Sequence, residues 1–278
     1  MKNVISFMNM KGGVGKTTLC VNLADCLVRH FNKTVLIIDM DPQFNATQYI
    51  LSPEFYAQEI FPENKTIRTI FETKELKSDV FNGTPNLKKE PIIAHIEHTK
   101  SGLDLVCGDL RMCNIPSNNP KIENRLKRFI QNNNLNEKYD FIFIDCPPTN
   151  SIYTVAAFIT SKYYLLPVKP DFLSSLGINL FQSYLADLDD DENLECLGMI
   201  FTMVQNYPYY SDKMHELRIT HKIDVFDNII KQSSEISSNS EKQKTMYQSA
   251  FKSDIINLTQ EFLDRYSSKE GDHYEQHS

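Results

Sequence analysis

Two lysines and three glycines stand close together near the start of the chain, in the stretch Lys11–Thr18. Glycines allow successive backbone N–H groups to turn inward, and such a cradle binds anions. The Lys16 ammonium group is placed to reach the β- and γ-phosphates of a nucleotide, and the Thr17 hydroxyl is a ligand for Mg²⁺. The pattern predicts a phosphate-binding loop formed by Lys11, Gly12, Gly13, Val14, Gly15, Lys16, Thr17 and Thr18.

The segments on either side of this loop have the order that a phosphate-binding loop requires. Val4–Phe7 is a short apolar run typical of a buried strand, and Leu19–Leu27 has the pattern of a helix. Such a helix adds the positive end of its dipole and its unpaired first-turn N–H groups. The alternative, a glycine-rich turn with two solvated lysines, does not account for this strand and helix.

The loop departs from the usual pattern at its first position. Met10 stands where glycine is usual, and Lys11 is an additional lysine ahead of the glycines. A loop with this extra lysine is the deviant form of the Walker A loop.

Carboxylates follow two further predicted strands. Asp39 and Asp41 come directly after the apolar run Val35–Ile38, and Asp145 ends a second run, Tyr139–Asp145. The carboxyl ends of parallel strands meet at the edge of the sheet where α/β proteins bind ligands. One aspartate at a strand end is common in polar turns, whereas two alternate aspartates beside a phosphate loop favour a functional interpretation. We expect Asp145 to hold Mg²⁺ through a water molecule, as a Walker B residue does.

The remaining sequence alternates between strand and helix patterns. Further strands are predicted at Gly102–Cys107, Tyr163–Val168 and Leu197–Val204, and Pro91–Ile96 is either an edge strand or a short helix. Residues 43–50 are predicted to be a loop that runs into a helix. Further helices are predicted at 66–71, 121–130, 152–158, 171–188 with Asp171 as N-cap, 211–219 and from 246 onward. The segment 223–230 is predicted to include a short strand, and 233–240 is predicted to be a loop.

This alternation predicts a single α/β domain over residues 1–266, with a doubly wound, mostly parallel sheet and helices on both faces. Residues 267–278 are predicted to be a flexible polar tail. The exit of the last strand, Thr202-Met203, is a candidate wall for an adenine ring. The alternative interpretation is that these two residues simply end a core strand and do not contact a ligand; the sequence favours neither interpretation.

Composition limits the class of protein further. The 278 residues carry a net charge of −7, which argues against a surface coated in positive charge but leaves room for a local basic patch. No apolar run is long enough to span a bilayer and no secretory signal is present, so we expect a cytoplasmic protein. Buried free thiols are the preferred interpretation of the cysteines, and an iron–sulfur cluster between two subunits is the alternative. The cysteines are Cys20, Cys26, Cys107, Cys113, Cys146 and Cys196.

Three motifs in order resemble the ParA family of DNA-partitioning ATPases, within the deviant Walker A group that includes MinD-type ATPases. They are the loop Lys11–Thr18, the segment Asp39–Gln43 and the segment Ile144–Pro148. The resemblance extends from residue 1 to about residue 266. It implies ATP and Mg²⁺ as cofactors.

The resemblance also implies a mechanism. Two subunits would enclose two ATP molecules, and Lys11 would reach across the interface to the partner's phosphates, as an arginine finger does. Asp41 resembles the residue that positions the attacking water, and Asp39 would support the Mg²⁺ shell. The ATP-bound homodimer would bind DNA nonspecifically and associate with the nucleoid. A ParB-like adaptor protein would then trigger hydrolysis and release, in the service of plasmid or chromosome segregation.

The sequence departs from the family pattern at two places. The family usually has glycine where this chain has Phe44, so the loop after Asp41 is expected to move differently. Near Ile229–Lys231 the family often has Ile-Pro-Arg, and the proline is absent here. The basic residues that remain as candidates for DNA contact are Arg218, Lys222, Lys231, Lys242, Lys244 and Lys252.

Three other functions stay open at this point. An ATP-switched positioning or scaffold protein with little DNA affinity is favoured by the acidic balance and the missing arginines. A membrane-bound, MinD-like role is disfavoured by the polar tail, in which basic residues are few. A cluster-bearing reductase would require the cysteines to ligate iron.

Overall fold

A computed structural model of the chain describes residues 1–72, 92–96, 102–115, 122–187 and 194–276. Within these ranges, one sheet runs through the middle of the molecule. Its strands are β1 (Val4–Phe7), β2 (Val35–Asp39), β3 (Ile93–His95), β4 (Leu103–Val106), β5 (Phe141–Asp145), β6 (Tyr163–Val168) and β7 (Glu195–Phe201).

The helices connect the strands and cover the sheet. They are α1 (Lys16–Arg29), α2 (Asn45–Ile50), α3 (Pro53–Phe55), α4 (Arg68–Phe71), α5 (Arg125–Asn132), α6 (Leu135–Lys138), α7 (Ile152–Thr160), α8 (Ser174–Asp187), α9 (Pro208–Thr220), α10 (Ser234–Glu241) and α11 (Lys252–Gln276). A π-helical turn covers Tyr56–Ile60, and short 3₁₀ segments lie at Leu110–Asn114, Ile122–Asn124 and Met246–Gln248.

The seven strands lie in the order β3-β4-β2-β5-β1-β6-β7. All neighbouring pairs are parallel except β3 with β4, which is antiparallel at the edge of the sheet. Strand order reverses beside β1, and a reversal of this kind opens a crevice at the carboxyl ends of the strands. The predicted fold class is therefore confirmed, and the phosphate loop that follows β1 lies at this crevice.

The central strands are buried on both faces, which explains their unbroken apolar sequences. In β2, Val35 and Ile37 join a core beneath α1 and α11, whereas Leu36 and Ile38 join a second core beneath α5, α7 and α8. On the first face, the ring of Phe143 lies 5.0 Å from that of Phe7, measured between centroids. These two cores fix the strand ends that carry the site.

Several predictions of local structure are wrong at their boundaries or in type. Residues 233–240 do not form a loop, because the Ser233 hydroxyl caps α10 and Ile236 is buried beneath it. The segment 223–230 does not form a strand: Val225 makes one isolated bridge to Met199 of β7, and Lys231, just beyond the segment, makes another to Val204, past the end of β7. The alternative left open for Pro91–Ile96 resolves as the edge strand β3. Lys121, at the start of the basic helix, lies outside the described residues.

The prediction of a flexible tail after residue 266 also differs from the structure. Helix α11 continues to Gln276, and Glu270 accepts a hydrogen bond from the Tyr163 hydroxyl at 2.9 Å. Glu270 also pairs with Lys2 at 3.1 Å. These contacts tie the polar end of the helix to β6 and to the amino terminus.

Candidate phosphate and magnesium site

The loop between β1 and α1 has the backbone that its glycines permit. Gly13 and Gly15 have φ angles of 70° and 82°, in the left-handed region that other residues rarely adopt. Helix α1 begins directly at Lys16, and the amide of Leu19 donates to the Gly15 carbonyl at 2.9 Å. The free N–H groups of the first helical turn therefore border the loop, as an anion site requires.

Lys16 is buried inside this loop, with 6% of its surface exposed. Its ammonium group donates to the carbonyl oxygens of Asn9 at 3.2 Å and Lys11 at 3.4 Å. Burial lowers the pKa of Lys16, while nearby Asp145 opposes that shift. A cation held this way, without a direct ion pair, is available to an anion entering the loop.

Thr17 and two aspartates from neighbouring strands form the acidic side of the site. Asp39 and Asp145 lie directly opposite each other in the pairing of β2 with β5. The Thr17 hydroxyl donates to Oδ2 of Asp145 at 2.7 Å. The Thr47 amide and hydroxyl donate to Oδ2 of Asp39 at 2.8 and 2.7 Å. Each carboxylate is thus fixed through one oxygen only.

The other oxygen of each carboxylate is buried and has no hydrogen-bond partner. These atoms are Oδ1 of Asp39 and Oδ1 of Asp145, and both residues are fully buried. Unpaired buried carboxylate oxygens are costly, and a hard cation such as Mg²⁺ prefers oxygen ligands. The donor set of Thr17 and these aspartates therefore fits magnesium. Within the described residues no group of three or more His, Cys, Asp and Glu side chains could hold a metal alone, so phosphate and water would complete the shell.

Electrostatics reinforce this interpretation. Burial raises the pKa of Asp145 to about 7, against opposing effects from Thr17 and Lys16. Burial and the neighbouring Asp145 raise the pKa of Asp39 well above its usual value. Two buried carboxylates side by side are unfavourable when both are charged, and a bound cation removes that cost.

Replacing Asp145 by asparagine is expected to stabilise the protein at pH 8 when no nucleotide or Mg²⁺ is present. A carboxyl whose folded-state pKa is raised contributes stability that is lost as the pH rises through that pKa, here about 7. The loss begins at the usual pKa of 3.8 and is complete near 7, so the variant should gain about 1–2 kcal/mol at pH 8 and about half of that at pH 5.5. Thermal unfolding at both pH values, with exposed Asp212→Asn as control, measures this. A variant less stable than the wild type at pH 8 would contradict the argument.

Asp41 lies two residues beyond the end of β2 and borders the same cleft. It is 7% exposed, and its Oδ1 accepts a hydrogen bond from the Gln43 amide at 2.9 Å. The next residue, Phe44, has a φ of 43°, which is strained for a bulky side chain. Its ring stacks on Tyr56 with centroids 5.3 Å apart. Stacking thus holds a conformation that glycine would adopt freely.

Lys11 does not point its ammonium group into its own loop. The Nζ atom donates to both carboxylate oxygens of Asp171 at 2.6 and 2.5 Å, and Lys11 is about one quarter exposed. Asp171 was predicted to cap the following helix, but α8 begins at Ser174 and the carboxylate binds Lys11. Although burial opposes it, hydrogen bonds from Lys11 and Ser174 lower the pKa of Asp171.

An open cleft of about 850 Å³ extends from the loop, along Gly13–Thr18, past Asp41 and Met203. The Thr202 hydroxyl donates to the Val14 carbonyl at 2.6 Å and so joins β7 to the loop. Thr202 therefore supports the loop, whereas Met203, with a φ of 52°, lines the cleft. One wall comes from α10, which sequence reasoning missed because it predicted a loop there; the lining residues from α10 are Ile236, Ser237, Ser240 and Glu241.

None of the described helices is long and apolar enough to cross a membrane. Of the six cysteines, Cys20, Cys26, Cys107 and Cys146 are buried, Cys196 is partly exposed and Cys113 is exposed, and all six are free thiols.

A glycine cradle, a buried lysine and paired aspartates at the carboxyl edge of a parallel sheet define the P-loop class of nucleotide-binding proteins, here with the deviant lysine. Residues 2–196 match the family described as an AAA domain (AAA_31). This match spans well over half of the chain, which therefore belongs to that family, the ParA/MinD group of P-loop proteins.

Individual proteins show the same likeness. The chain is 26% identical over 283 residues to a virulence plasmid ParA family protein of Chlamydia psittaci, covering 96% of each. It superposes on a protein of Borrelia burgdorferi described as a plasmid partition protein and bound to AMPPNP, with a TM-score of 0.71, 22% identity, and 97% and 100% coverage. It also superposes on cobyrinic acid a,c-diamide synthase of Mycobacterium smegmatis, with bound ATP analogue and magnesium, at a TM-score of 0.74, 18% identity and 97% coverage of each chain. These two structures share its fold.

Proposed function

We propose that this chain is a ParA-like, Mg²⁺-dependent ATPase that dimerises on binding ATP and acts in the segregation of a plasmid or chromosome. The observation that carries the proposal is that one buried carboxylate oxygen of Asp39 and one of Asp145 have no hydrogen-bond partner, beside Thr17 and the glycine loop. A cation and a polyphosphate would satisfy these oxygens and the loop amides. Relatives named as ParA and plasmid partition proteins support the cellular role.

Each residue of the site has a role in this proposal. The loop amides and Lys16 bind the β- and γ-phosphates. Thr17 and Asp145 hold the magnesium, and Asp39 supports its coordination shell. When bound, Mg²⁺ offsets the negative charge of the phosphates. Asp41, bordering the cleft, orients the attacking water. Met203 and α10 supply a wall for the adenine ring.

Lys11 completes the site of a second subunit. Its ammonium group is bound to Asp171 and lies outside its own phosphate loop. In the dimer it would leave Asp171 and bind the phosphates held by the partner subunit. A positive charge delivered in this way stabilises the charge that builds on the transferring phosphoryl group. Hydrolysis then depends on dimerisation.

The DNA-bound state and the ParB-like adaptor belong to the same proposal. The candidate basic residues Lys222, Lys242 and Lys244 are exposed. Two others pair with carboxylates, Arg218 with Asp227 at 3.7 Å and Lys231 with Asp254 at 3.6 Å. This pairing reduces the charge available to a phosphate backbone, so we expect DNA binding that is weak and has a shallow salt dependence.

ATP-dependent DNA binding that weakens with salt is the expected result for the wild-type chain. Each phosphate contact contributes a slope of about −0.9 in a plot of log affinity against log salt. The double variant Lys242→Gln and Lys244→Gln should flatten that slope, and Lys33→Gln, far along the chain from these residues, serves as control. Fluorescence anisotropy with a random-sequence duplex, with ATP and with ADP, measures both.

A positioning or scaffold protein with the same nucleotide switch is the second candidate. The net charge of −7 and the paired states of Arg218 and Lys231 favour it. Absence of ATP-dependent DNA binding at low salt, together with retained hydrolysis, would select this function over partition.

A further inference from the structure

The turn that carries Asp41 includes a backbone conformation that its own sequence does not favour. The Gln43 amide donates to Oδ1 of Asp41 at 2.9 Å, and the Phe44 amide donates to the Asp41 carbonyl at 2.8 Å. In this turn Phe44 has a φ of 43° and a ψ of 42°, in the left-handed region that a bulky side chain rarely adopts. Contacts outside the turn must therefore offset the cost of this conformation.

Tyr56 provides such a contact. Its ring stacks on the ring of Phe44, with the centroids 5.3 Å apart and the ring planes 14° from parallel. The Tyr56 hydroxyl donates to the Gly108 carbonyl at 3.0 Å. The stack therefore joins the turn after β2 to the segment that follows β4.

Gly108 brings the same stack close to Asp39. A Cβ atom on Gly108 would lie 2.6 Å from Cβ of Phe44 and 3.0 Å from Oδ2 of Asp39, so only glycine fits there without a shift. The Gly108 amide donates to the Thr47 hydroxyl oxygen at 2.8 Å, and that hydroxyl donates to Oδ2 of Asp39 at 2.7 Å. Asp39 and Asp41 are thus supported by one continuous set of contacts.

Tyr56 is itself held by a second group of contacts. It begins the π-helical turn Tyr56–Ile60, a rare form of helix that is frequent at functional sites. The ring of Phe61 lies 6.2 Å from that of Tyr56, and the Arg111 guanidinium lies 4.2 Å from the centre of the Phe61 ring. Arg111 in turn binds the buried carboxylate of Asp109 at 2.6 Å. The Tyr56 ring is therefore attached to a well-packed part of the chain.

We propose that Tyr56 is a positioning residue for ATP hydrolysis, which holds Asp41 in place through Phe44. This inference rests on the proposed function, because it takes Asp41 as the residue that orients the attacking water. Neither ring is among the described residues that line the cleft, so the stack acts through Asp41 and not by contact with the nucleotide. Glycine at position 44 would adopt the left-handed conformation freely, so the stack is needed only because a bulky residue stands there.

The test uses this dependence of one ring on the other. Tyr56→Ala removes the stack, Tyr56→Phe keeps the ring and removes only the hydroxyl, and Phe44→Gly removes the need for a stack. Phe55→Ala is the matched control, because it deletes the neighbouring aromatic side chain, which is 43% exposed. Each variant is compared in single-turnover hydrolysis, in equilibrium titration with ATP and Mg²⁺, and in amide hydrogen exchange of the nucleotide-free protein.

We expect Tyr56→Ala to lower the rate of hydrolysis about tenfold and to change the affinity for ATP less than about twofold, because binding depends on the phosphate loop. Tyr56→Phe and Phe55→Ala should hydrolyse ATP at close to the wild-type rate. The Gln43 and Phe44 amides should exchange about tenfold faster in Tyr56→Ala, because the turn opens more often. When Tyr56→Ala is added to Phe44→Gly, neither the rate of hydrolysis nor the amide exchange of the turn should change further.

A wild-type rate of hydrolysis in Tyr56→Ala would overturn the proposal, as would an equal loss of rate with and without Phe44→Gly. A Tyr56→Ala protein that loses ATP affinity and hydrolysis together would also overturn it, by assigning Tyr56 a general structural role. A wild-type chain that binds ATP without hydrolysing it would refute the proposed ATPase instead. Amide exchange in the nucleotide-free protein would still decide whether Tyr56 holds the turn.

Discussion

Replacing Lys16 by alanine is expected to weaken ATP binding by about 10²-fold or more and to abolish hydrolysis. Charge-assisted hydrogen bonds to two phosphates contribute about 1.5–3 kcal/mol each. Lys16 is the buried cation of the loop, and its present acceptors are only the carbonyls of Asn9 and Lys11. Isothermal titration with ATP and Mg²⁺, and a phosphate-release assay, measure the two effects.

The control for Lys16 is a lysine with the same charge in a different setting. Lys33 pairs with Asp140 at 3.7 Å on the surface, so Lys33→Ala should bind and hydrolyse ATP as the wild type does. Circular dichroism should show that Lys16→Ala remains folded. Wild-type ATP affinity in a folded Lys16→Ala protein would contradict the claim that this loop binds the phosphates of ATP.

Replacing Lys11 by alanine is expected to have a different signature. Hydrolysis should fall by about 10³-fold, the effect of removing an arginine finger, and the ATP dimer should be lost. Binding of ATP by the monomer should change little, because the Lys11 ammonium group lies on Asp171 and outside its own cradle. Single-turnover hydrolysis, equilibrium titration and sedimentation separate these quantities.

The matched control is Asp171→Asn, which breaks the same ion pair and keeps the lysine. If the loss in Lys11→Ala came only from the broken ion pair, Asp171→Asn would reproduce it. We expect Asp171→Asn to retain hydrolysis and dimerisation. Wild-type turnover in Lys11→Ala itself would rule out hydrolysis completed across the interface.

Local sequence was enough to locate the phosphate loop and the aspartates. Glycine spacing, a following lysine and strands that end in Asp39 and Asp145 are properties of short segments. The parallel pairing of β2 with β5 then brings those aspartates opposite each other. The fold class followed from the alternation of apolar runs and amphipathic segments, and it is confirmed by the sheet order. The assigned roles of the site residues stay predictions.

Features that depend on distant contacts were not visible in the sequence. Lys11 and Asp171 are separated by 160 positions, and nothing local to either residue indicates that they pair. Helix α10 has a serine-rich sequence of weak helix propensity, and it is held by the Ser233 cap and the burial of Ile236. The end of α11 is polar, and its order comes from contacts of Glu270 with Tyr163 and Lys2.

Mixing two inactive variants tests the central claim, which is that Lys11 acts in the partner's site. Lys11→Ala keeps a complete site of its own but offers no lysine, whereas Asp41→Ala offers Lys11 but cannot position the water. We expect the mixture to hydrolyse ATP although neither variant does so alone, and we expect a chain that carries both substitutions to restore no activity to Lys11→Ala. A mixture no more active than the sum of its parts, with mixed dimers present, would contradict the account.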